Sequence, residues 1–257
     1  MSKDVKFRSK DLYGDFYENE NKPLVIVIGG SIAGIPAISN CLLEYLKLNN
    51  NVLLLAYFGV GDLPNNLERI PLEYFINAIS YFKDKLNLTN NEITIIGSSK
   101  GGELILLLIS EYIQPSIAIA CVPSCFVWQS IIHNISSAFI PKSSWTYENK
   151  DIPFIRFRYN LKILIDIKNR VYSSCHEKSI QMNKNKNAII NINDFKGKLL
   201  LLSAEVDHFW PSKKMCTFIE KSENGNIKHI ALNIEGHYFL QYEQSSKEII
   251  NFLENQF

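Results

Sequence analysis

The pentapeptide Gly97-Ser98-Ser99-Lys100-Gly101 lies between an aliphatic run, Ile93 to Ile96, and an apolar segment from Glu103 to Tyr112. A serine on a sharp strand-to-helix turn projects its hydroxyl clear of the backbone, provided its neighbours carry no Cβ that would strike the strand or the helix. The N–H of Lys100 would then open the helix, where an unpaired donor and the helix dipole favour a developing oxyanion. Ser99 is therefore expected to be a nucleophile for acyl transfer. A G-x-S-x-G string also arises as a plain glycine-rich turn, so the reading depends on finding a base and an acid in the order such turns require.

A serine needs a base within hydrogen-bond reach, and the base needs an acceptor that fixes its tautomer. Five histidines are available. His237, in Glu235-Gly236-His237-Tyr238, follows the last aliphatic run and precedes a final helix, which is where the base is expected. His208 competes but stands beside the acid candidates; His133 and His176 fall in a long insertion, and His229 falls in a strand. The acid should follow the run Leu199 to Ser203, where both Glu205 and Asp207 are present. Asp207 is preferred, because a short carboxylate in a turn is easily held rigid against an imidazole. Asp62 is a distant third. Gly29-Gly30-Ser31-Ile32-Ala33-Gly34 ends the first aliphatic run, so the backbone N–H groups of Gly30 and Ser31 are candidates to join Lys100 in an oxyanion hole. A packing turn explains the same glycines, and their spacing is not that of a dinucleotide fingerprint.

These residues must be carried by a sheet. Short runs rich in Val, Ile and Leu alternate with longer amphipathic segments, the pattern of βα units feeding a mainly parallel sheet buried on both faces. Strands are predicted at Leu24–Ile28, Val52–Ala56, Ile93–Ile96, Ile117–Cys121, Leu199–Ser203 and His229–Leu232. Helices are predicted at Ile35–Lys47, Pro71–Leu86, Glu103–Tyr112, Ser212–Glu220 and Glu243–Glu254. Val5–Arg8 and Asp15–Tyr17 flank Gly14 and suit an antiparallel edge. Residues 124–194 exceed what a crossover needs and are expected to form a cap.

The 257 residues, 46% hydrophobic, suffice for one large core, so a single domain is expected. With 27 Lys and Arg against 26 Asp and Glu, no general field is available for nucleic acid or an anionic membrane. The polar start of the chain lacks an apolar leader segment, and no aliphatic run is long enough to span a bilayer, so a cytoplasmic protein is expected. Five scattered cysteines, with Cys121 and Cys125 lacking a second ligand pair, indicate neither disulfides nor a metal site. No cofactor is implied, and nothing in the sequence reports on oligomeric state.

Across most of the chain from about Leu24 onward, the sequence resembles the catalytic domain of the acyl-CoA thioester hydrolase and bile acid-CoA:amino acid N-acyltransferase family. That family is a branch of the α/β-hydrolases related to dienelactone hydrolase. The similar segments are Gly97 to Glu103, Ala56-Tyr57-Phe58 with Asp62-Leu63-Pro64, Ile70 to Phe75, Ser144 to Tyr147, Asp207 to Ser212, and Gly236-His237. The resemblance implies an α/β-hydrolase fold and places nucleophile, acid and base on Ser99, Asp207 and His237. It also implies a serine hydrolase that cleaves acyl-CoA thioesters, or closely related esters, to free acid and CoA. The alternatives are transfer of the acyl group to an amino acid, and hydrolysis of small esters as in dienelactone hydrolase. In the family a serine at the elbow accompanies hydrolysis and a cysteine accompanies the amino-acid transferase, so Ser99 favours hydrolysis. Two-domain members carry a β-sandwich before the catalytic domain; with about 22 residues ahead of the first parallel strand, none is expected here. The segment Tyr238 to Tyr242 also departs from the family's usual ending.

Within the cap, Phe126, Trp128, Phe139, Trp145 and Tyr147 are candidates to line an acyl pocket. Between Arg156 and Lys186 there are eight Lys or Arg against Asp166 and Glu177. Arg156 and Arg158, with Lys162, are therefore candidates to meet the CoA phosphates.

Overall fold

The computed structural model describes residues 3–8, 12–222 and 225–255. In chain order the strands are β1 (Lys3–Arg8), β2 (Tyr13–Glu18), β3 (Leu24–Ile28), β4 (Asn51–Ala56), β5 (Ile70–Pro71), β6 (Ile93–Ser98), β7 (Ile117–Cys121), β8 (Trp145–Tyr147), β9 (Lys150–Asp151), β10 (Lys198–Val206) and β11 (Ile227–Glu235). The helices are α1 (Asn40–Asn49), α2 (Leu72–Lys85), α3 (Lys100–Glu111), α4 (Ile135–Phe139), α5 (Leu161–Lys168), α6 (Ser173–Met182), α7 (Ser212–Glu220) and α8 (Glu243–Glu254).

Eight strands form the main sheet in the order β1-β2-β4-β3-β6-β7-β10-β11. From β4 to β11 every pairing is parallel, while β1 and β2 add an antiparallel edge. That edge is where the sequence placed it. Side chains alternate across a strand, and the alternation builds two cores. Leu24, Ile26 and Ile28 face one layer with α3 and α7. Val25 and Val27 face the other, with α1 and α8.

The chain passes from β3 outward to β4 and returns to the opposite side of β3 as β6. Such a reversal opens a crevice at the carboxyl ends of the two strands, the usual ligand position in open parallel sheets. Gly29-Gly30 leaves β3 there, and Ser98-Ser99 leaves β6. The backbone crowds at this point. A Cβ on Gly101 would come within 2.3 Å of the Gly29 carbonyl oxygen, and one on Gly97 within 2.3 Å of the Gly101 carbonyl oxygen. Both flanking glycines of the pentapeptide are thus demanded by contact between helix and strand.

Helix α1 begins at Asn40, five residues later than the predicted Ile35. Ser39 is its N-cap, with Oγ accepting from the Leu42 N–H at 3.3 Å. Pro36 stands in the preceding stretch, which lacks helical geometry, and a proline restricts its predecessor to extended backbone. The Ser39 N–H instead donates to the Leu240 carbonyl at 2.7 Å, joining this stretch to the loop after β11. Helix α3 begins at Lys100, immediately after Ser99, and Lys100 through Ile109 are all buried.

The insertion between β7 and β10 carries α4, β8, β9, α5 and α6. It is tied back by β5 pairing with β8 and by an ion pair between Arg69 and Asp151, and it is closed on itself by single bridges between Phe126 and Ile189 and between Trp128 and Ile155. Among the described residues no helix is long and apolar enough to cross a membrane.

Because a methyl group at residue 101 has backbone rather than a flexible side chain in its path, Gly101→Ala is expected to lower unfolding free energy by about 1–3 kcal/mol or more. A denaturant midpoint equal to that of the unsubstituted chain would contradict the contact.

Candidate active site

Ser99 is the N-cap of α3 with φ 58° and ψ −119°, a backbone conformation that costs a non-glycine residue roughly 1–3 kcal/mol. It is held by its N–H donating to the Cys121 carbonyl at 2.9 Å and by its carbonyl accepting from the Glu103 N–H at 2.9 Å. Asp207 and His237 leave β10 and β11 at the same edge of the sheet. The Ser99 Oγ lies 2.7 Å from His237 Nε2. His237 Nδ1 lies 2.9 and 3.0 Å from the two Asp207 carboxylate oxygens. A carboxylate accepts and does not donate, so Nδ1 carries the proton and Nε2 is left to accept from the serine hydroxyl.

The supports of this chain are short-range. Asp207 Oδ1 also accepts the N–H groups of Phe209 at 2.9 Å and Trp210 at 3.4 Å, fixing the carboxylate on its own turn. The Phe209 ring stacks on the imidazole of His237 with centroids 4.5 Å apart, and Trp210 meets it edge-on at 5.5 Å. Both His237 and Asp207 are buried, at 5% and 2% side-chain exposure.

The competing candidates are engaged elsewhere. Glu205 is exposed and pairs with Lys213 at 2.6 Å, and His208 pairs with Glu235 at 2.8 Å. His229 meets Ser203 Oγ at 2.8 Å, His133 meets the Ile131 carbonyl at 3.1 Å, and Asp62 is exposed.

Gly30 packs against the serine, since a Cβ there would lie 2.9 Å from Ser99 Cβ. The buried Tyr57 hydroxyl donates to the Gly30 carbonyl at 2.5 Å. Burial pushes that phenol well above its ordinary range, so it stays a donor. In a trans peptide the N–H points opposite to the C=O. Holding the Gly30 carbonyl toward Tyr57 therefore turns the Ser31 N–H away, on the side where Ser31 lines space beside Ser99. The Lys100 N–H, first in α3, has no intrahelical acceptor.

Two cavities meet at Ser99 and His237. The larger, about 650 Å³, lies under the cap and is walled by Trp128, Phe157, Leu164, His176 and Trp210. The smaller, about 110 Å³, lies toward Pro36, Tyr238 and Leu240.

Of the cap aromatics expected to line an acyl pocket, Trp128 alone lines the larger cavity. Trp145 is fully buried behind it, donating its indole N–H to Glu103 Oε1 at 2.8 Å. Phe126 stacks on Phe218 at 6.4 Å, Tyr147 lies against Tyr112 at 4.6 Å, and Phe139 is exposed. Arg156 and Arg158 are exposed and line neither cavity. In an extended segment alternate side chains point to opposite sides: Phe157 and Tyr159 take the cavity side, which turns the arginines outward. Lys162 is also exposed and pairs with Asp166 at 3.4 Å. The alternation Ile155, Phe157, Tyr159 was visible in the sequence and is the signal that would have found this wall. His176, set aside because it lies in the insertion, is also on the wall.

Beneath the serine, Lys100 and Glu103 form a buried ion pair at 2.7 Å. The same Glu103 oxygen that receives Trp145 also receives the Trp128 N–H at 3.2 Å. One carboxylate therefore binds the elbow helix to two points of the cap. Burial pushes the Glu103 carboxyl up and the Lys100 ammonium down, each opposed by the other's charge.

Residues 70–241 match the family described as BAAT / Acyl-CoA thioester hydrolase C terminal, a stretch that contains Ser99, Asp207 and His237. The chain belongs to this family. It is 25% identical to acyl-coenzyme A thioesterase 3 of Mus musculus over 177 residues, 63% of this chain and 34% of that protein. It is likewise 25% identical to acyl-coenzyme A amino acid N-acyltransferase 1 of Mus musculus over 162 residues, 63% of this chain and 35% of that protein. The matched part thus spans about a third of these relatives. Among solved structures, the Pyrococcus furiosus esterase Pf2001 superposes with a TM-score of 0.64 at 16% identity, covering 99% of this chain and 91% of that one. Mouse alpha/beta hydrolase domain-containing protein 10 superposes with a TM-score of 0.57 at 12% identity, covering 99% and 97%. The fold is that of the α/β-hydrolases, a mostly parallel sheet flanked by helices.

Burial among aromatic rings lowers the His176 imidazole from its ordinary 6.5 to about 4. The unfolded chain therefore takes up this proton at a higher pH than the folded one, and protonation favours unfolding. Stability from this group is complete above about pH 6.5 and is expected to fall as the pH drops toward 4, a loss that His176→Phe should remove. Denaturant unfolding of both proteins across that window checks it; parallel stability profiles would contradict the neutral, buried imidazole.

Proposed function

We propose that this chain is a serine hydrolase that cleaves acyl-CoA thioesters, or closely related esters, through an acyl-enzyme on Ser99. The family and the fold support hydrolysis of esters or thioesters at the coarse level. The observation that carries the serine mechanism is the continuous hydrogen-bond chain Ser99–His237–Asp207 opening onto an apolar cavity of about 650 Å³.

On this reading the acyl chain occupies the space under the cap. Ser99 Oγ attacks the thioester carbonyl carbon while His237 Nε2 takes its proton, and Asp207 holds the imidazolium by its Nδ1–H. The carbonyl oxygen becomes an oxyanion facing the N–H groups of Lys100 and Ser31, with Gly30 shaping the approach. The carbon–sulfur bond then breaks. A thiol's pKa near 8.5 makes the thiolate a better leaving group than an alkoxide, so it needs less protonation from His237. Water, deprotonated by the same nitrogen, attacks the Ser99 ester and releases the free acid.

Transfer to an amino acid is the second reading, favoured by the similarity to an amino acid N-acyltransferase. An oxygen ester on Ser99 gives an amine less advantage over water than a thioester on cysteine would, which favours hydrolysis. The smaller cavity beside His237 is a place from which either water or an amine could approach.

Ser99→Ala and His237→Ala are each expected to lower kcat by roughly 10⁴-fold or more while the chain stays folded. Asp207→Asn should be severely impaired, whereas Glu205→Gln and His208→Ala should stay near the unsubstituted rate. Thiol release from a panel of acyl-CoAs, alongside p-nitrophenyl ester hydrolysis, measures all five; near-normal turnover by Ser99→Ala would end the serine reading.

When wild-type protein is given acyl-CoA with excess glycine or taurine, free acid is expected to be the main product by mass spectrometry. Ser99→Cys, if it still acylates, should shift the ratio toward amide. Predominant amide from wild type would replace hydrolysis by transfer.

A further inference from the structure

The cavity under the cap is apolar over most of its wall, yet two of its residues carry polar atoms that have no partner among the described residues. His176 donates Nδ1–H to the Tyr172 carbonyl at 3.0 Å, a bond whose direction is set because a carbonyl only accepts. Its other ring nitrogen, Nε2, has no partner among the described residues. Gln129, 3% exposed, accepts the Phe157 N–H on Oε1 at 2.8 Å, which fixes the amide's orientation. Its Nε2 is left with two N–H donors and no protein acceptor among the described residues. Both residues line the cavity, and both neighbour Phe157. The Gln129 amide binds its backbone, and the His176 ring meets its ring with centroids 5.3 Å apart.

A purely alkyl ligand would leave both groups desolvated and unpaired, at a cost of roughly 1–3 kcal/mol each. What the pair asks for is one group that donates to an imidazole nitrogen and accepts from an amide N–H. A hydroxyl does both with a single oxygen.

We propose that the preferred acyl group carries a hydroxyl, bound between His176 Nε2 and Gln129 Nε2. This deepens the reading of the cavity as the acyl site and rests on it. The hydroxyl hydrogen goes to the imidazole and the amide N–H goes to the hydroxyl oxygen. Neither Ser99 nor His237 is asked to change its part. The neutral state of His176 down to about pH 4 keeps Nε2 available as an acceptor at ordinary pH. The arrangement is one of specificity, since a site built to hydrogen-bond a hydroxyl discriminates against the analogue that lacks it.

The test is binding of the free acids, which needs no turnover. Isothermal titration compares an unsubstituted fatty acid with isomers of equal length in which one hydroxyl is moved carbon by carbon along the chain. One position is expected to bind about tenfold more tightly than the parent, the gain of one or two net hydrogen bonds. The preference, read as the ratio of the two Kd values in the same protein, should collapse in His176→Phe and in Gln129→Met; the latter removes the amide donors and leaves no carboxylate to take the hydroxyl hydrogen. Circular dichroism confirms folding, and the wild-type ratio stands whether or not a variant folds. The proposal is overturned if every hydroxy isomer binds no better than the parent, if no acid binds, or if the preference survives in both folded variants. Turnover of the unsubstituted acyl-CoA by the same preparation reports on the hydrolase reading separately, so either can fail while the other stands.

Discussion

Everything at this site depends on how closely a helix can be brought to the end of a strand. Helix α3 starts on the residue after Ser99, and its first turn lies against the carbonyl of Gly29 so tightly that residue 101 has no room for a methyl group. That contact pins the chain leaving β3 beside the chain leaving β6. It sets Ser99 in a backbone conformation it would not choose alone, and it brings the Gly30–Ser31 peptide alongside the serine. The strain at one residue is small against the burial of the six aliphatic residues Leu104 to Ile109 in the same helix.

A second constraint is electrostatic. Glu103 is fully buried and is used three times: by the Lys100 ammonium, by the Trp145 indole and by the Trp128 amide. A buried carboxylate is costly unless its lone pairs are filled, so the cap's seat on the elbow helix is fixed by the need to keep that carboxylate satisfied. Both tryptophans thereby hold the cap to α3, Trp145 through its indole and Trp128 through its backbone N–H, which leaves the Trp128 ring to form the cavity wall.

The sheet was legible because period-two alternation and fully apolar runs reflect burial directly. Ser99, Asp207 and His237 were legible because each follows such a run and a short turn, where chain order already restricts the geometry. The start of α1 was misplaced because the apolar residues Ile35 and Ile38 mimic a helical stripe while packing as an extended stretch against the second core. The cap resisted reading most. Its aromatics are distributed by long-range bridges such as Phe126 with Ile189 and Trp128 with Ile155, which local pattern does not encode. Charge counted along the sequence located Arg156 and Arg158 but not their direction: the extended backbone between them turns both to solvent, away from the cavity.

The Ser39 N–H bond to the Leu240 carbonyl joins the stretch that follows the Gly30–Ser31 turn to the loop that follows His237. The Ser39 and Ser246 hydroxyls add a second tie at 2.6 Å. Donor side and base side thus behave mechanically as one jaw, and neither can swing outward without dragging the other out of register with Ser99. Any widening of the larger cavity is thereby left to its other wall, the cap, which shares neither of these two ties.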